Sequence, residues 1–250
     1  MRHLKQSVAR GIIAALVITA CSDSTMHPFS PARLSVRAAQ QNPNTTTVPV
    51  DFVKGKGADI SNDGIDSALT EINKVFEKAG IKFTRNTVST LADSTVPQNP
   101  TDNGPNAPLT DDEKKVADAG EKTAKAQPDN GKLTVIIVED FKGATPAQKP
   151  AAGKTVVGKG PVLIADPFHT EAKSLGMVPF WVVLAHELGH ALGLTHKVLN
   201  SDKNYAHQQN GQYTAPNLMG NPEDRDSTEL TEDQIKELQK GAHRFKQGGK

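Results

Sequence analysis

Two hydrophobic patterns recur along the chain. Short apolar runs have the length of β-strands, and other segments carry apolar residues at a spacing that places them on one face of a helix. Strands are predicted at Val48–Lys54, Ile81–Val88, Leu133–Asp140 and Pro161–Asp166. Between the first two, residues 63–79 carry apolar side chains at helical spacing, and Gly80 follows as a natural helix stop. The apolar face of this helix comprises Ile65, Ala68, Leu69, Ile72, Val75 and Phe76. The folded part is therefore predicted to open with a βαβ unit.

Residues 91–132 interrupt this pattern with Pro, Asn, Asp and Lys. Within them, Thr110-Asp111-Asp112-Glu113 matches a capping box, which predicts a helix to about Ala126. The apolar face of this helix is thin and consists of Val116, Ala119 and Ala124. We expect a loosely packed surface insert, a solvated decoration of the domain. A regulatory or partner-binding insert is the alternative.

In the second half of the chain, the segments between the clearly predicted elements give weaker secondary-structure signals. Phe141–Lys154 is predicted as a loop, and the sequence leaves open whether Thr155–Val157 forms a separate strand. Thr231-Glu232-Asp233-Gln234 forms another capping box and predicts a C-terminal helix through about His243. Leu230, Ile235, Leu238 and Ala242 could pack this helix against the domain.

The N-terminal residues indicate export. Residues 1–21 join a basic start to an apolar run, Gly11–Ala20, that is too short to span a bilayer as a stable helix. The run ends at Cys21, the single cysteine of the chain, in a sequence that resembles the lipobox of bacterial lipoproteins. This resemblance implies acylation at Cys21 and a membrane-anchored lipoprotein on the cell surface or the periplasmic face. An ordinary secretory signal with an incidental cysteine is the alternative.

The exported part divides into a polar segment and one domain. Residues 22–47 have no apolar period and are predicted to be a flexible tether, or else a propeptide. Residues 48–250 are long enough for one substantial domain. The net charge of +1 gives no reason to expect a nucleic-acid partner, and we expect a monomer.

The strongest chemical signal lies in the stretch VPFWVVLAHELGHALGLTH, residues 178–196. His186 and His190 are four residues apart, so on a helix they share one face and can bind one metal ion. Gly193 can adopt a positive φ that ends the helix, and the chain then turns so that His196 can supply a third nitrogen. Three histidine ligands leave one position open for water, as in a catalytic zinc site. Glu187 can reach that water without being a ligand.

Other residues could complete or extend this site. His207 and Glu223 are alternative third ligands, although Asn221–Asp224 is predicted as a turn rather than the helix on which a thermolysin-like enzyme carries its glutamate. His169 lies between a strand and the helix and is expected to be a surface residue. Because Gly193 and His196 both stand at the right spacing, His196 is the preferred third ligand.

The motif at His186–His196 resembles the zinc signature of the metzincin metallopeptidases, most of all the matrix metalloproteinase branch. The resemblance implies an α+β, zincin-type fold. A twisted mixed sheet and two long helices would lie above the cleft, and a methionine turn and C-terminal helix below it. The sequence NLMG at Asn217–Gly220 offers Met219 for that turn. Met219 follows His196 by 23 residues, a longer gap than in the matrix enzymes, and the polar segment Lys197–Pro216 is predicted to be a surface loop.

The resemblance also implies how a substrate would bind. In these enzymes the last strand before the active-site helix is antiparallel and lines the cleft, a place that Val162–Ala165 would take by order along the chain. Gly220–Thr228 would form the wall of the first specificity pocket. One catalytic Zn2+ is expected at His186, His190 and His196, and the sequence leaves open whether calcium also binds. The substrate would be a protein or peptide.

Three functional hypotheses follow from the motif and the N-terminal signal. The first is a lipid-anchored zinc endopeptidase in which Glu187 is the general base. The second is a surface lipoprotein that keeps zinc and the fold without turnover, and the third is a metal-scavenging lipoprotein. Glu187 favours the enzyme because a binding module needs no general base. The third hypothesis is disfavoured because the chain has no His-rich tract.

Overall fold

The computed structural model describes residues 45–104, 107–124, 131–145, 151–167, 178–220 and 227–246, all within the compact unit Gln41–Lys250. The strands are β1 (Thr46–Lys54), β2 (Ile81–Thr90), β3 (Thr101–Asp102), β4 (Leu133–Val138), β5 (Lys142–Gly143), β6 (Gly153–Thr155), β7 (Val162–Ala165), β8 (Gln208–Gln209) and β9 (Gln212–Tyr213). The α-helices are α1 (Asn62–Phe76), α2 (Asp111–Ala124), α3 (Phe180–Ala191) and α4 (Glu232–Lys246). Short 3-10 helices cover Glu77–Ala79 and Asn200–Asn204. Cys21, His169 and Glu223 lie outside the described residues, so the predictions for them stay predictions.

Five strands form a mixed sheet in the order β2-β1-β4-β7-β6. The pairs β1–β2, β1–β4 and β4–β7 are parallel, whereas β6 runs antiparallel to β7 at one edge. The four parallel strands are those predicted from apolar runs, and the fold is α+β as expected. Parallel strands need covered faces, which explains why β4 is buried along its whole length.

The βαβ opening is confirmed. Ser61 caps α1 by accepting a hydrogen bond from the backbone N–H of Gly64 at 3.0 Å. The predicted face of α1 is buried except for Val75, which is half-buried, and the helix passes into a 3-10 turn that ends at Gly80, where φ is +64°. The chain then enters β2 directly, parallel to β1.

The sheet separates two apolar layers. Val48, Val50 and Phe52 of β1 contribute to a layer shared with α1, α3 and α4, which forms the larger core. Val53, on the opposite face of β1, belongs to a second layer shared with α2. Within the described ranges, no helix combines the length and the apolar character that crossing a membrane requires.

Helix α2 differs from the expectation for the insert. The capping box is present, since Glu113 N–H donates to Thr110 Oγ1 at 3.2 Å and Thr110 N–H donates to Glu113 Oε2 at 2.6 Å. Val116 and Ala117 are buried, and a Cβ added at Gly120 would lie 2.2 Å from Ile136 Cδ1 of β4. The prediction of a loosely packed excursion is wrong for α2. Small residues looked like a weak apolar face, but they allow the helix to approach the sheet closely.

The antiparallel strand also differs from the expectation. Val162–Ala165 is β7, an interior strand parallel to β4, and not the cleft strand that the resemblance implied. The antiparallel edge position belongs to β6, Gly153–Thr155, within the stretch predicted mostly as loop. A three-residue strand containing Gly, Lys and Thr carries no apolar alternation, so the hydrophobic pattern gave no signal for it.

Candidate metal centre

Helix α3 carries two of the three candidate ligands on one face. His186 and His190 are both buried, and their side chains point to the same side because they stand one helical turn apart. The helix ends at Ala191 with Leu192 as its cap residue, and Gly193 follows with φ of +110°. A Cβ at Gly193 would meet no atom within 4 Å, so the left-handed backbone, rather than space, accounts for glycine there. The turn directs the chain back and brings His196 to the other two imidazoles.

The three imidazoles converge through their Nε2 atoms. His196 Nε2 lies 3.0 Å from His186 Nε2 and 3.2 Å from His190 Nε2. Among the described residues, His186, His190 and His196 form the single group of three or more potential ligands close enough to hold one metal ion. His207 contacts Tyr205 by its ring instead.

Backbone carbonyls determine which nitrogens face the centre. His186 Nδ1 donates to Leu218 O at 2.7 Å, and His190 Nδ1 donates to Leu194 O at 2.8 Å. A carbonyl oxygen only accepts, so each Nδ1 carries the proton and each Nε2 presents a lone pair to the centre. If His196 Nε2 carried a proton, it could donate to only one of these two lone pairs. A bound cation would instead accept the Nε2 lone pairs of all three histidines.

The donor set fits zinc. Three neutral imidazole nitrogens suit Zn2+, and nitrogens 2.0–2.1 Å from a tetrahedral zinc lie about 3.3 Å apart. The observed separations of 3.0 and 3.2 Å from His196 Nε2 are close to this value. Hydrogen bonding of the outer nitrogen to a carbonyl is the usual support of a histidine ligand. The residues present therefore fit a three-histidine zinc site.

Burial disfavours the charged, doubly protonated form of the three imidazoles, so that each Nε2 stays unprotonated. It lowers the pKa of His186 to about 3 and the pKa of His190 to about 4, and the neighbouring imidazoles add to both shifts. Burial also lowers the pKa of His196. Because the unfolded chain binds protons at the ordinary histidine pKa near 6.5, the metal-free fold should lose stability as the pH falls below that value.

Zinc affinity should therefore resist mild acid. Between pH 7.5 and 6.0 we expect it to fall by less than about threefold, whereas three ordinary histidines of pKa near 6.5 would lose roughly 10–100-fold. Competition with a chelator of known pH dependence measures the affinity at each pH. A tenfold or larger loss by pH 6.0 would show that the imidazoles are not shielded.

Glu187 is buried beside the ligands. Burial raises the pKa of its carboxyl to about 8, against smaller lowering effects of the Thr155 hydroxyl and the Lys154 ammonium. Its Oε2 is enclosed and has no hydrogen-bond partner among the described residues. Strand β6 covers the carboxyl closely, since a Cβ added at Gly153 would lie 2.7 Å from Glu187 Cγ and 2.9 Å from Oε1. The site thus holds a shielded carboxyl that could exchange a proton.

The predicted methionine turn packs against α3 at Gly189, away from the Glu187 side of the helix that β6 covers. Met219 is buried, and its Sδ would be 3.1 Å from a Cβ placed at Gly189. The preceding residue, Leu218, supplies the carbonyl that orients His186. The sequence predicted Met219 at this position but not the roles of the Leu218 and Leu194 carbonyls, because every residue type carries a backbone carbonyl.

A buried amide pair holds this turn in place. Asn217 Nδ2 donates to Gln234 Oε1 at 2.8 Å, and Gln234 Nε2 donates back to Asn217 Oδ1 at 2.9 Å. Asn217 Oδ1 also accepts the backbone N–H of Met219 at 2.9 Å. Gln234 is the last residue of the second capping box, which opens α4 as predicted. The C-terminal helix is therefore joined to the segment that orients His186.

The segment between His196 and the turn is anchored rather than loose. Asp202 Oδ2 accepts from Thr231 Oγ1 at 2.6 Å and from the Tyr213 hydroxyl. Burial and this carboxylate raise the pKa of Tyr213, so the phenol stays protonated and donates. Tyr213 N–H in turn donates to His196 O at 3.2 Å. The polar composition of Lys197–Pro216 predicted a surface loop and concealed these buried contacts.

Met219→Ala should cost stability more than chemistry. Removing a fully buried methionine side chain typically costs about 2–5 kcal/mol in the free energy of unfolding. Chemical denaturation of the zinc-loaded variant measures this loss, and zinc content measured at low denaturant should stay near that of the wild type. Unchanged stability would mean that Met219 does not support the site.

The solved structures similar to this chain include an archaemetzincin and a bacterial metalloproteinase. No protein-family model and no curated protein matches the chain. An archaemetzincin from Methanopyrus kandleri is 13% identical with a TM-score of 0.48, and the alignment covers 80% of this chain and 98% of that one. Metalloproteinase-II from Bacteroides fragilis is 13% identical with a TM-score of 0.44, covering 79% of this chain and 53% of that one. Because both TM-scores lie below 0.5, neither structure identifies the chemistry of this chain, which is inferred from the geometry of its own residues.

Proposed function

We propose that the chain is a zinc-dependent endopeptidase of the metzincin type. The observation that carries this proposal is the convergence of the Nε2 atoms of His186, His190 and His196 beside the buried carboxyl of Glu187. Three protein ligands leave a position for water, and a structural zinc site would use four. A pure binding site would not need an enclosed carboxyl beside that position.

The residues of the site divide the chemistry between them. His186, His190 and His196 would hold a zinc ion, which would supply Lewis acidity and lower the pKa of a bound water to about 7. Glu187 takes the proton of the attacking water and later delivers it to the leaving amine. Burial raises the pKa of this carboxyl to about 8, and a carboxyl with a pKa closer to neutrality suits both transfers.

The edge strand offers a place for an extended peptide. Ala165 N–H donates to Ala152 O, so by antiparallel alternation the next residue bonded to β7 is Lys154. The backbone groups of Gly153 and Thr155 then point away from β7, toward the side where no strand of the described residues pairs with β6. A peptide can pair there as a further strand, next to Glu187. This supports a protein or peptide substrate.

The proposal is tested by incubating the purified domain with a broad peptide library. Cleavage should occur with zinc bound, stop when a chelator removes the metal and return when zinc is restored. Absence of cleavage with zinc bound would favour the alternative, a zinc-containing surface lipoprotein that binds without turnover.

We further propose that the protein is anchored to a bacterial membrane through a lipid on Cys21. Acyl chains supply membrane affinity of about 0.8 kcal/mol per buried CH2 group. Cys21→Ser should leave the protein without lipid and move it out of the membrane fraction. Metabolic labelling with a fatty acid and fractionation measure this, with Ser22→Ala as the matched control. An unlabelled wild-type protein would contradict the proposal.

A further inference from the structure

Lys154 is buried in an ion cluster that the proposed chemistry does not use. Its Nζ lies 2.7 Å from Asp102 Oδ1 and 3.1 Å from Glu113 Oε1, and the three side chains are at most 4% exposed. Backbone N–H groups satisfy further carboxylate lone pairs: Gly104 and Ala151 donate to Asp102, and Thr110 donates to Glu113. Taking three charges out of water is costly, so the cluster persists because these hydrogen bonds offset the cost.

The cluster connects three separate elements. Lys154 is the central residue of β6, Asp102 belongs to β3, and Glu113 lies in the first turn of α2. The insert between β2 and β4 contributes both carboxylates. Helix α2 is itself fixed on the sheet by Val116 and by the close approach of Gly120 to Ile136.

The opposite face of β6 covers Glu187. Successive side chains of a strand point to opposite faces, so Lys154 points to the side of α2 while Gly153 and Thr155 face α3. Gly153 is the residue whose backbone lies against the Glu187 side chain. The ammonium of Lys154 therefore holds β6 from behind, one residue from that contact.

Strand pairing alone holds β6 weakly. The strand has three residues and pairs with one neighbour, β7. A segment this short forms few ladder hydrogen bonds, and elements held by few interactions are among the first to open locally. The ion cluster supplies an attachment that the sheet does not.

We propose that Lys154 is a positioning residue: through Asp102 and Glu113, the 91–132 insert holds β6 in place over Glu187 and along the peptide-binding edge. This rests on the proposed peptidase function and gives the insert a role in it. Asp102 and Glu113 act from the side of β6 opposite to Glu187, so neither carboxylate contacts the substrate. Loss of the attachment loosens β6 and misplaces Glu187 relative to a bound peptide.

Two variants separate positioning from simple stability. Lys154→Met keeps most of the side-chain volume but leaves Asp102 and Glu113 as buried charges without their cation, which destabilises the fold. The triple variant K154M/D102N/E113Q removes all three charges, and neutral replacement of a buried ion cluster is often tolerated. Lys114→Met is the matched control, because Lys114 forms an exposed ion pair with Asp111 on the same helix.

The experiment measures four quantities on the zinc-loaded full-length chain: the unfolding midpoint, zinc content, amide hydrogen exchange over residues 151–155, and kcat/KM on a cleaved peptide. In the triple variant we expect a midpoint near that of the wild type and one zinc per chain. Exchange over 151–155 should be at least tenfold faster. A misplacement near 1 Å can cost about 100-fold in rate, so we expect kcat/KM to fall roughly 10–100-fold. Lys114→Met should match the wild type in all four.

Two results would overturn the inference. The first is recovery of kcat/KM together with stability in the triple variant, which would make the cluster a structural element only. The second is unchanged exchange over 151–155, which would show that the cluster does not hold β6. If the wild type cleaves no peptide although zinc is bound, the peptidase proposal fails, and the exchange result still decides whether Lys154 holds β6.

Discussion

Glu187→Gln should abolish peptide hydrolysis while leaving zinc and the fold intact. Glutamine keeps the size of the side chain and removes its capacity to take a proton. Glu187 is not one of the three converging ligands, so the metal should remain bound. A positioned acid–base group typically contributes 10²–10⁴-fold, and kcat should fall by at least that range.

The measurement must pair turnover with metal content on one sample, because loss of zinc would imitate loss of the base. Glu237→Gln is the matched control, since Glu237 forms an exposed ion pair with Lys240 far along the chain from the motif. Equal cleavage by wild type and Glu187→Gln would trace the activity to another group. The burial of Glu187 also predicts a more stable fold for the variant, because glutamine carries no charge to desolvate.

His190→Ala should lose most of the zinc. The substitution removes one of three ligands, and loss of even an outer-shell partner of a ligand typically costs 10–100-fold in affinity. We expect a loss of affinity above about 100-fold. Titration of the metal-free protein with zinc against a competing chelator measures it.

His207→Ala provides the matched control for this variant. His207 lies between His196 and the methionine turn and was an alternative ligand from sequence, yet it contacts Tyr205. Its removal should leave zinc affinity within about twofold of the wild type, as expected for a side chain outside the ligand set. Zinc affinity equal to that of the wild type in His190→Ala, or a large loss of zinc affinity in His207→Ala, would contradict the assignment of His190 as a ligand and of His207 as a non-ligand.

The sequence predicted best what depends on local spacing. His186 and His190 share a face because the helix has 3.6 residues per turn, and Gly193 permits the turn that returns His196. Both capping boxes begin helices where they were expected, at Thr110 and Thr231. These features need no knowledge of distant contacts.

Features that depend on distant polar contacts could not be predicted in the same way. The strand β6 has no apolar alternation, and its place follows from pairing with β7 and from the buried ammonium of Lys154. Helix α2 is predicted to pack loosely because its apolar face is thin, and the burial of Glu113 depends on Lys154, a partner that lies far along the chain. The amide pair of Asn217 and Gln234 joins residues from two separately predicted elements, and neither residue type identifies the other.

We propose that His186, His190 and His196 hold one zinc ion and leave one position for water. X-ray absorption at the zinc edge of the loaded protein tests it most directly, together with metal analysis of the same sample. The predicted result is one zinc per chain, bound by three imidazole nitrogens and one oxygen at about 2.0–2.2 Å. A fourth protein ligand, or a spectrum that His190→Ala leaves unchanged, would contradict the account.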